Sequence, residues 1–280
     1  METNHKLIIG NCMDMKEISD GSVHLAVSSP PYFNAPFDYK GLFKTYGQYL
    51  GVLRKVAKEL YRVLADGRIF FLNIDDMLID GEKFPIAVDA TRILLDAGFR
   101  YRDRIIWKKP EGYLRISRRS GVLLQNPYPM YFYPDNLLEN IIIFQKGKFD
   151  YRSISEEIRE KSKIDTKEFQ DKKWYMTLWE MNNVMPGSPL ENNIAAFPEE
   201  LPYRAIKLFS YVGETVLDPF AGSGTTMKMA RRLGRNSIGI EIKKSLIPII
   251  KEKLGFNGQK TLTDNKDTFE VIQRSKGWIE

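Results

Sequence analysis

The chain is poor in the residues that build disulfide frameworks and metal sites. It has one cysteine, Cys12, and two histidines in 280 residues. A single cysteine excludes an intramolecular disulfide framework and gives no sign of an extracellular protein. So few cysteines and histidines also predict that the chain has no zinc site and no other metal, which argues against the zinc-dependent enzymes that modify nucleobases.

Long apolar runs are missing as well. No segment approaches the run of about 18 apolar residues that a membrane span requires. The first residues, 1–5, lack the charged-then-apolar layout of a signal peptide. With 43% hydrophobic residues, the chain is predicted to form one large α/β domain with a modest insertion and to need no membrane.

The positive charge of the chain is concentrated in one window. The net charge is +6, and residues 100–119 alone carry that same charge because basic side chains dominate there. A concentrated basic segment is typical of proteins with a polyanionic partner. The alternative is an ordinary solvated strand and loop, but Trp107, Gly112 and Tyr113 in the same window favour a binding segment.

Hydrophobic periodicity alternates between strands and helices. Apolar runs predict buried strands at residues 6–9, 23–27, 69–74, 104–107, 140–144, 216–217 and 237–240. Helical stripes and glycine stops predict helices at residues 48–64, 86–97 and 225–233. This alternation predicts an α/β fold with a doubly wound, mostly parallel sheet.

The alternation is interrupted between residues 147 and 195. Residues 153–173 are highly charged and predicted to be helical, whereas residues 174–189 are irregular and contain two tryptophans. A long interruption of this kind is usually functional or disordered. Its aromatic and amide side chains favour a function, and a lid or packing flap is an equally weighted alternative from the residues alone. The polar tail at residues 257–280 has no assigned role.

Ser29-Pro30-Pro31-Tyr32 follows the second predicted strand directly. The carboxyl ends of strands are where open α/β sheets place their chemistry. Two successive prolines fix the backbone and remove two N–H donors, so the turn offers carbonyl acceptors between a hydroxyl and an aromatic ring. Such a site suits a flat ring whose amino group must become nucleophilic.

A second motif begins about 190 residues later, at the end of another apolar strand. It reads Asp218-Pro219-Phe220-Ala221-Gly222-Ser223-Gly224-Thr225-Thr226. Glycines allow close approach of a ligand to the backbone, and an acid about 20 residues beyond such a turn can bind ribose hydroxyls, a spacing that Glu241 meets. The spacing of a phosphate-binding loop is not met, and the third glycine of a dinucleotide fingerprint is missing. An adenosine with a short, uncharged-to-cationic tail fits better, with Asp218 accepting from an ammonium group.

Together the two motifs resemble the amino-methyltransferases of DNA. The order, catalytic motif first and cofactor motif last, is similar to that of their beta group, and the likeness extends over about residues 5–255. It includes the stretches 10–12, 68–75, 106–110, 139–147 and 197–202. In this family, serine at the first catalytic position usually accompanies N4-cytosine methylation, and aspartate or asparagine accompanies N6-adenine methylation.

The resemblance implies a fold, a cofactor and partners. The fold would be the sheet of S-adenosylmethionine-dependent methyltransferases with an inserted target-recognition region. Residues 1–147 would form the catalytic half, 148–195 the target-recognition insertion, 196–256 the cofactor-binding half and 257–280 a tail. S-adenosylmethionine would be the cofactor and double-stranded DNA the substrate. The protein would be cytoplasmic, DNA-associated and prokaryotic. Its cognate restriction endonuclease would be a separate chain.

The resemblance also assigns roles to residues. Ser29 and the Pro30 carbonyl would accept protons of the target amino group, in the rigid turn that Pro31 completes, while Tyr32, helped by Phe33, would stack on a base flipped out of the duplex. Cofactor contacts would come from Asn11, Asp218, Phe220, Gly222, Gly224, Thr225 and Glu241, with Thr225 also a candidate helix cap. DNA contacts would come from Phe33, Lys108, Lys109, Arg115, Arg118, Arg119, Asn182 and Asn183, with Gln125, Asn192 and Asn193 as further candidates.

Three other functions stay open at this point. One is N6-adenine methylation of DNA, another is amino-methylation of RNA, and the third is a non-catalytic nucleic-acid-binding protein with the same fold. Methylation at carbon 5 of cytosine would need a cysteine nucleophile. Cys12 is predicted to be a small buried residue instead.

Overall fold

A computed structural model describes residues 2–34, 42–79, 81–110, 120–182, 197–256 and 266–274. In these residues, eleven strands are present: β1 (Asn4–Ile9), β2 (Val23–Ser28), β3 (Leu64–Ile74), β4 (Met77–Ile79), β5 (Glu82–Phe84), β6 (Arg100–Lys108), β7 (Leu138–Gln145), β8 (Leu178–Glu180), β9 (Thr215–Asp218), β10 (Asn236–Glu241) and β11 (Thr268–Gln273). The helices are α1 (Tyr46–Val63), α2 (Ile86–Asp96), α3 (Ser120–Gln125), α4 (Glu156–Lys161), α5 (Thr166–Asp171), α6 (Glu200–Phe209), α7 (Thr225–Arg232) and α8 (Ile247–Lys253).

Nine of the described strands form one sheet in the order β11-β1-β10-β9-β2-β3-β7-β6-β8. Most neighbours are parallel, and β7 is antiparallel to both β3 and β6. The predicted doubly wound, mostly parallel sheet is confirmed. Because β2 lies between β9 and β3, the carboxyl ends of these three strands meet at one edge of the sheet.

Both faces of the sheet are buried because successive side chains of a strand point in opposite directions. On β3, Phe70 and Leu72 pack with α1 and α2, whereas Ile69 and Phe71 pack with α6 and α7. The apolar stripe predicted at residues 48–64 is the buried face of α1. Thr45 begins that helix by accepting a hydrogen bond from the Gln48 N–H at 3.1 Å.

Two strands lie where the sequence predicted no strand. In the interruption, β8 pairs parallel with β6, and Trp174 and Trp179 are both buried. These tryptophans therefore pack in the protein interior, which corrects the interpretation of their aromatic rings as signs of function. In the polar tail, β11 pairs parallel with β1 and so completes one edge of the sheet.

The charged segment at 153–173 contains two short helices, α4 and α5. Each begins at a side-chain cap, Ser155 for α4 and Asp165 for α5. Within the described residues, no helix combines the length and the apolar character that crossing a membrane would need.

Candidate active site

The two sequence motifs meet at the centre of the sheet. β2 pairs with β9 through Leu25 opposite Val216 and Ala26 opposite Leu217. The next residue along β2 that faces the cofactor motif is Ser28, whose hydroxyl donates to Oδ1 of Asp218 at 2.7 Å. Pro30 and Phe220 also line the same small apolar cavity of about 30 Å³. The catalytic and glycine-rich motifs are therefore direct neighbours.

Asp218 organises the glycine turn from within the protein. Its Oδ1 also accepts from the Phe220 N–H at 3.1 Å, and its Oδ2 accepts from the Thr226 hydroxyl at 2.7 Å. Burial raises the pKa of Asp218 to about 6, although these hydrogen bonds act in the opposite direction. The side chain is only 1% exposed. Asp218 thus holds the turn together, and its predicted contact with a ligand's ammonium group stays a prediction.

The turn itself needs glycine for conformation and for space. Gly222 and Gly224 have φ values of 52° and 81°, in the left-handed region that glycine favours. A Cβ at Gly224 would lie 3.1 Å from Cγ2 of Ile250 on α8. Both glycines therefore keep the turn tight against the sheet and α8.

Glu241 lies beside this turn at the end of β10. Its Oε2 accepts from the Gly222 N–H at 2.9 Å, and its Oε1 accepts from the Lys243 N–H at 2.8 Å. The structure therefore brings the predicted ribose-binding acid to the glycine turn. Its contact with a ribose stays a prediction.

The other predicted cofactor residues are Thr225, Asn11 and Phe220, and the contacts of each lie within the protein. Thr225 is buried and accepts from Lys253 Nζ at 2.9 Å, so its hydroxyl faces α8. Its predicted capping role is wrong because Gly224 is the N-cap of α7 and has no side chain. Asn11 accepts from the Met13 N–H at 2.9 Å and so closes a turn after β1. Phe220 is half-buried at the glycine turn.

A buried polar cluster surrounds the Ser29 and Tyr32 side chains. Its centre is Glu139 on β7, which is 8% exposed. Oε2 of Glu139 accepts from the Tyr32 hydroxyl at 3.0 Å and from Asn73 Nδ2 at 2.6 Å, and Oε1 pairs with Lys109 Nζ. Asn73 Nδ2 also lies 3.4 Å from the Ser29 hydroxyl. We call Ser29, Tyr32, Asn73, Lys109 and Glu139 the Glu139 cluster.

Sequence reasoning missed Asn73 and Glu139. Asn73 lies within the apolar run 69–74, and Glu139 directly precedes the run 140–144, both of which were interpreted as buried strands. A polar side chain in a fully buried strand must find a partner, because burial without one is costly. That signal was available in the sequence, although the identity of the partners was not.

Asp75 lies near the Glu139 cluster, and the pKa of its carboxyl group is raised. Burial, together with the negative charge of Glu139, raises the pKa of Asp75 to about 6. Asp75 accepts from Asn136 Nδ2. For Tyr32, burial and the neighbouring Glu139 carboxylate raise the pKa well above its ordinary value, so the phenol stays protonated and donates.

Two of the predicted DNA-contacting residues have other partners. Phe33 is 6% exposed and packs edge-on against Tyr46 and Phe84, so its predicted stacking on a base is wrong. Lys109 pairs with Glu139 inside the cluster, which corrects its prediction as a phosphate contact.

Other predicted contacts stay predictions. Lys108 is partly exposed and lies 3.4 Å from Glu180 on β8, and Asn182 and Gln125 are exposed. Arg115, Arg118, Arg119, Asn183, Asn192 and Asn193 lie outside the described residues.

Cys12 is buried near Glu241 and Asp218, and burial raises its pKa to about 12. A thiol of this acidity is a poor nucleophile, as expected for a small buried residue. Across the described part of the chain, no group of three His, Cys, Asp or Glu side chains could hold a metal ion.

Comparison with known proteins identifies similar sequences and structures. A family model of N6/N4 methyltransferases, described as DNA methylase, matches residues 23–252. The type II methyltransferase M.MjaI of Methanocaldococcus jannaschii is 38% identical, over 90% of this chain and 92% of that protein. M.MthZI of Methanothermobacter thermautotrophicus is 29% identical, over 99% and 85%. The structure of a Thermus thermophilus protein described as a candidate DNA modification methylase, in complex with S-adenosyl-L-methionine, has a TM-score of 0.73 and 28% identity, over 96% of this chain and 99% of that chain.

Proposed function

Because the chain belongs to the N6/N4 family of DNA methylases, we propose that it methylates the exocyclic N4 nitrogen of a cytosine flipped out of duplex DNA. Membership of this family gives the general activity. The chain is a DNA methyltransferase of the restriction-modification type that uses S-adenosylmethionine. The proposal adds the base, the atom and the residues that act on them.

The observation that carries this proposal is the bond between Ser28 and Asp218. It fixes the turn that contains Ser29 and Pro30 next to the turn that contains Gly222. Methyl transfer requires donor and acceptor to be held in contact, and positioning of this kind contributes much of the rate of such reactions. The parallel pairing of β2 with β9 supports the same placement.

The residues around the glycine turn fit S-adenosylmethionine. Gly222 and Phe220 are the partly exposed positions of the turn, so backbone and ring are available to a ligand. Glu241 stands at the end of the adjacent strand, where it can accept from ribose hydroxyls. When bound, the cofactor supplies an electrophilic methyl group on its sulfonium.

The chain's own residues would prepare the nitrogen that receives the methyl group. The lone pair of an exocyclic amino nitrogen is delocalised into the ring, and acceptors on its protons favour the tetrahedral, nucleophilic form. Ser29 and the carbonyl of Pro30 are proposed to act as these acceptors, and Tyr32 to stack on the ring. Glu139 holds the Tyr32 phenol by a hydrogen bond of 3.0 Å, which fixes the ring.

Serine at position 29 supports cytosine as the base, since the related sequences with this residue usually act on N4 of cytosine. Double-stranded DNA is the proposed partner, and a restriction endonuclease on a separate chain would cleave sites that this protein leaves unmethylated. The basic strand β6 and its partly exposed Lys108 support DNA binding.

The test is methylome sequencing and nucleoside mass spectrometry of DNA from a methylation-free host that expresses the protein. We expect N4-methylcytosine in one sequence context, and Ser29→Ala to abolish it while S-adenosylmethionine binding is retained. Ser22→Ala is the matched control, since that hydroxyl bonds the backbone of Ser19 at 2.7 Å, outside the two motifs.

Three outcomes would contradict parts of the proposal. N6-methyladenine without N4-methylcytosine would show that the base is wrong. Methylation of structured RNA in preference to duplex DNA would show that the polymer is wrong. Full methylation by Ser29→Ala would show that the site is wrong.

A further inference from the structure

Asn73 carries a buried acceptor that has no partner in the described structure. It lies near the end of β3, is 2% exposed, and its Oδ1 makes no hydrogen bond among the residues that are described. Buried polar atoms are normally paired, so an unpaired one beside a candidate active site calls for a ligand or a water molecule.

The orientation of this amide is fixed by its neighbours. Glu139 faces Asn73 at 2.6 Å, and Glu139 is the acceptor for the Tyr32 hydroxyl and the ion-pair partner of Lys109. A carboxylate in this setting can only accept, so the amide must present Nδ2 to it. The carbonyl oxygen Oδ1 is therefore the atom left without a partner.

The same amide lies beside the first residue of the catalytic motif. Nδ2 is 3.4 Å from the Ser29 hydroxyl oxygen, and Oδ1 is bonded to the same carbon as Nδ2. Oδ1 therefore belongs to the amide group that lies beside the Ser29 hydroxyl. The unpaired atom is an acceptor, and an exocyclic amino group brings two donors.

We propose that Asn73 Oδ1 is a binding site for the exocyclic amino group of the target base, acting beside Ser29 and Pro30. This inference rests on the proposed function and adds a residue on a different strand to it. Two amino protons can be shared among three acceptors through bifurcated hydrogen bonds. Asn73 would then select bases that carry an amino group and help to make the nitrogen pyramidal.

The test compares two duplexes that differ only at the target position. One contains the target base found by methylome sequencing, and the other contains the same ring without its amino group. With the cofactor product S-adenosylhomocysteine present, we expect the wild-type protein to bind the amino-bearing duplex about five- to tenfold more tightly, the effect of about one hydrogen bond. Asn73→Ala should lower this preference to about two- to threefold, because Ser29 and the Pro30 carbonyl still accept from the amino group.

Asn136→Ala is the matched control. That amide belongs to the same neighbourhood, but it donates to Asp75 and accepts from the Leu138 N–H, so both of its ends are used within the protein. It should keep the preference for the amino-bearing duplex. If Asn73→Ala does not fold, Asn73→Ser supplies a hydroxyl donor near Glu139 and still removes Oδ1.

The outcomes separate this inference from the proposed function. A wild-type protein that methylates DNA, while Asn73→Ala keeps the full preference, would overturn the inference alone and leave the proposed function standing. A wild-type protein without methylation of any polymer would overturn the proposed function first. A lowered preference in Asn73→Ala, with S-adenosylmethionine affinity and melting temperature close to those of the control, supports the inference.

Discussion

The hydroxyl of Ser28 donates to Oδ1 of Asp218 at 2.7 Å, although the two residues are 190 positions apart in the chain. Both side chains are 1% exposed. Ser28 precedes the predicted catalytic serine, and Asp218 precedes the glycine turn. One buried hydrogen bond therefore links the two halves of the candidate active site and sets the distance between them.

Loss of this bond should weaken cofactor binding as well as stability. Ser28→Ala leaves one donor fewer for the buried Asp218 carboxylate, and we expect a loss of about 1–3 kcal/mol in the free energy of unfolding. Calorimetric titration with S-adenosylmethionine should show a clear rise in Kd, because the carboxylate that holds the glycine turn is less well fixed. Unchanged stability and affinity would mean that the bond contributes nothing to the site.

Lys109 and Lys108 should differ in their effect on DNA binding. Lys109→Met leaves Glu139 without its cation, and we expect a loss of about 2–3 kcal/mol in stability, somewhat below the cost of breaking a fully buried pair. The dependence of DNA affinity on salt should stay the same. Lys108→Met should instead reduce the slope of log K against log salt by about 1, with little effect on stability.

Urea unfolding and fluorescence anisotropy at several salt concentrations measure these two effects. The double variant Lys109→Met with Glu139→Gln should recover part of the lost stability, since it removes the unpaired charge. A reduced salt slope for Lys109→Met would restore the original prediction that this lysine contacts phosphate.

Replacing glycine by alanine should lower stability where the backbone is crowded and raise it where a methyl group has space. Gly224→Ala places a methyl group 3.1 Å from Ile250 in a backbone conformation with φ of 81°, and we expect a loss of about 1–3 kcal/mol. Gly51→Ala lies inside α1, has no atom from elsewhere in the protein within 4 Å of the new Cβ, and should gain about 0.5–1 kcal/mol. Thermal unfolding compares the two, and a tolerated Gly224→Ala would show that the turn can move away from α8.

The raised pKa of Asp75 should make stability depend on pH. The folded protein holds the proton of Asp75 up to a pKa of about 6, whereas the unfolded chain loses it near the ordinary value of 3.8. Between these values the folded state binds more protons, so the contribution of Asp75 to the free energy of unfolding falls as pH rises from about 4 to about 6. Asp75→Asn removes this loss of stability with rising pH, because the asparagine side chain does not titrate.

We therefore expect Asp75→Asn to gain up to about 2 kcal/mol over the wild type on going from about pH 4.5 to about pH 7.5. Urea unfolding at both pH values measures the change. Asp66→Asn is the control, because that carboxyl group is 82% exposed at the other end of β3 and should show little change. A pH-independent difference between Asp75→Asn and the wild type would contradict the prediction.

Much of the fold could be predicted from local patterns. The strand interpreted at 23–27 is β2 (Val23–Ser28), and the helix interpreted at 86–97 is α2 (Ile86–Asp96). The spacing of apolar residues and the glycines that end helices are both local signals. The apolar spacing reflects which face of an element is buried, and the glycines mark where helices stop. β11 was missed because its alternation of exposed and half-buried residues, typical of an edge strand, is a weak signal in a polar tail.

The candidate site could be predicted in outline only. The motifs at 29–32 and 218–226 identified the two turns, and the structure brings them together. Phe33 was assigned to the wrong environment because an aromatic residue after a turn is equally compatible with an exposed ring and a buried one. Its burial depends on packing against Tyr46 of α1 and Phe84 of β5, and local sequence does not specify the position of either.

The sequence by itself determined the family, the alternation of strands and helices and the two chemical motifs, because these depend on residue types and on short spacings. Only the tertiary structure decided which polar groups become partners: Ser28 with Asp218, and Glu139 with Asn73, Tyr32 and Lys109. The physical reason is that the order of strands in the sheet places β2 beside β9 and β3 beside β7. Hydrogen bonds form between atoms that are close in space, and the order of strands is set by packing over the whole chain.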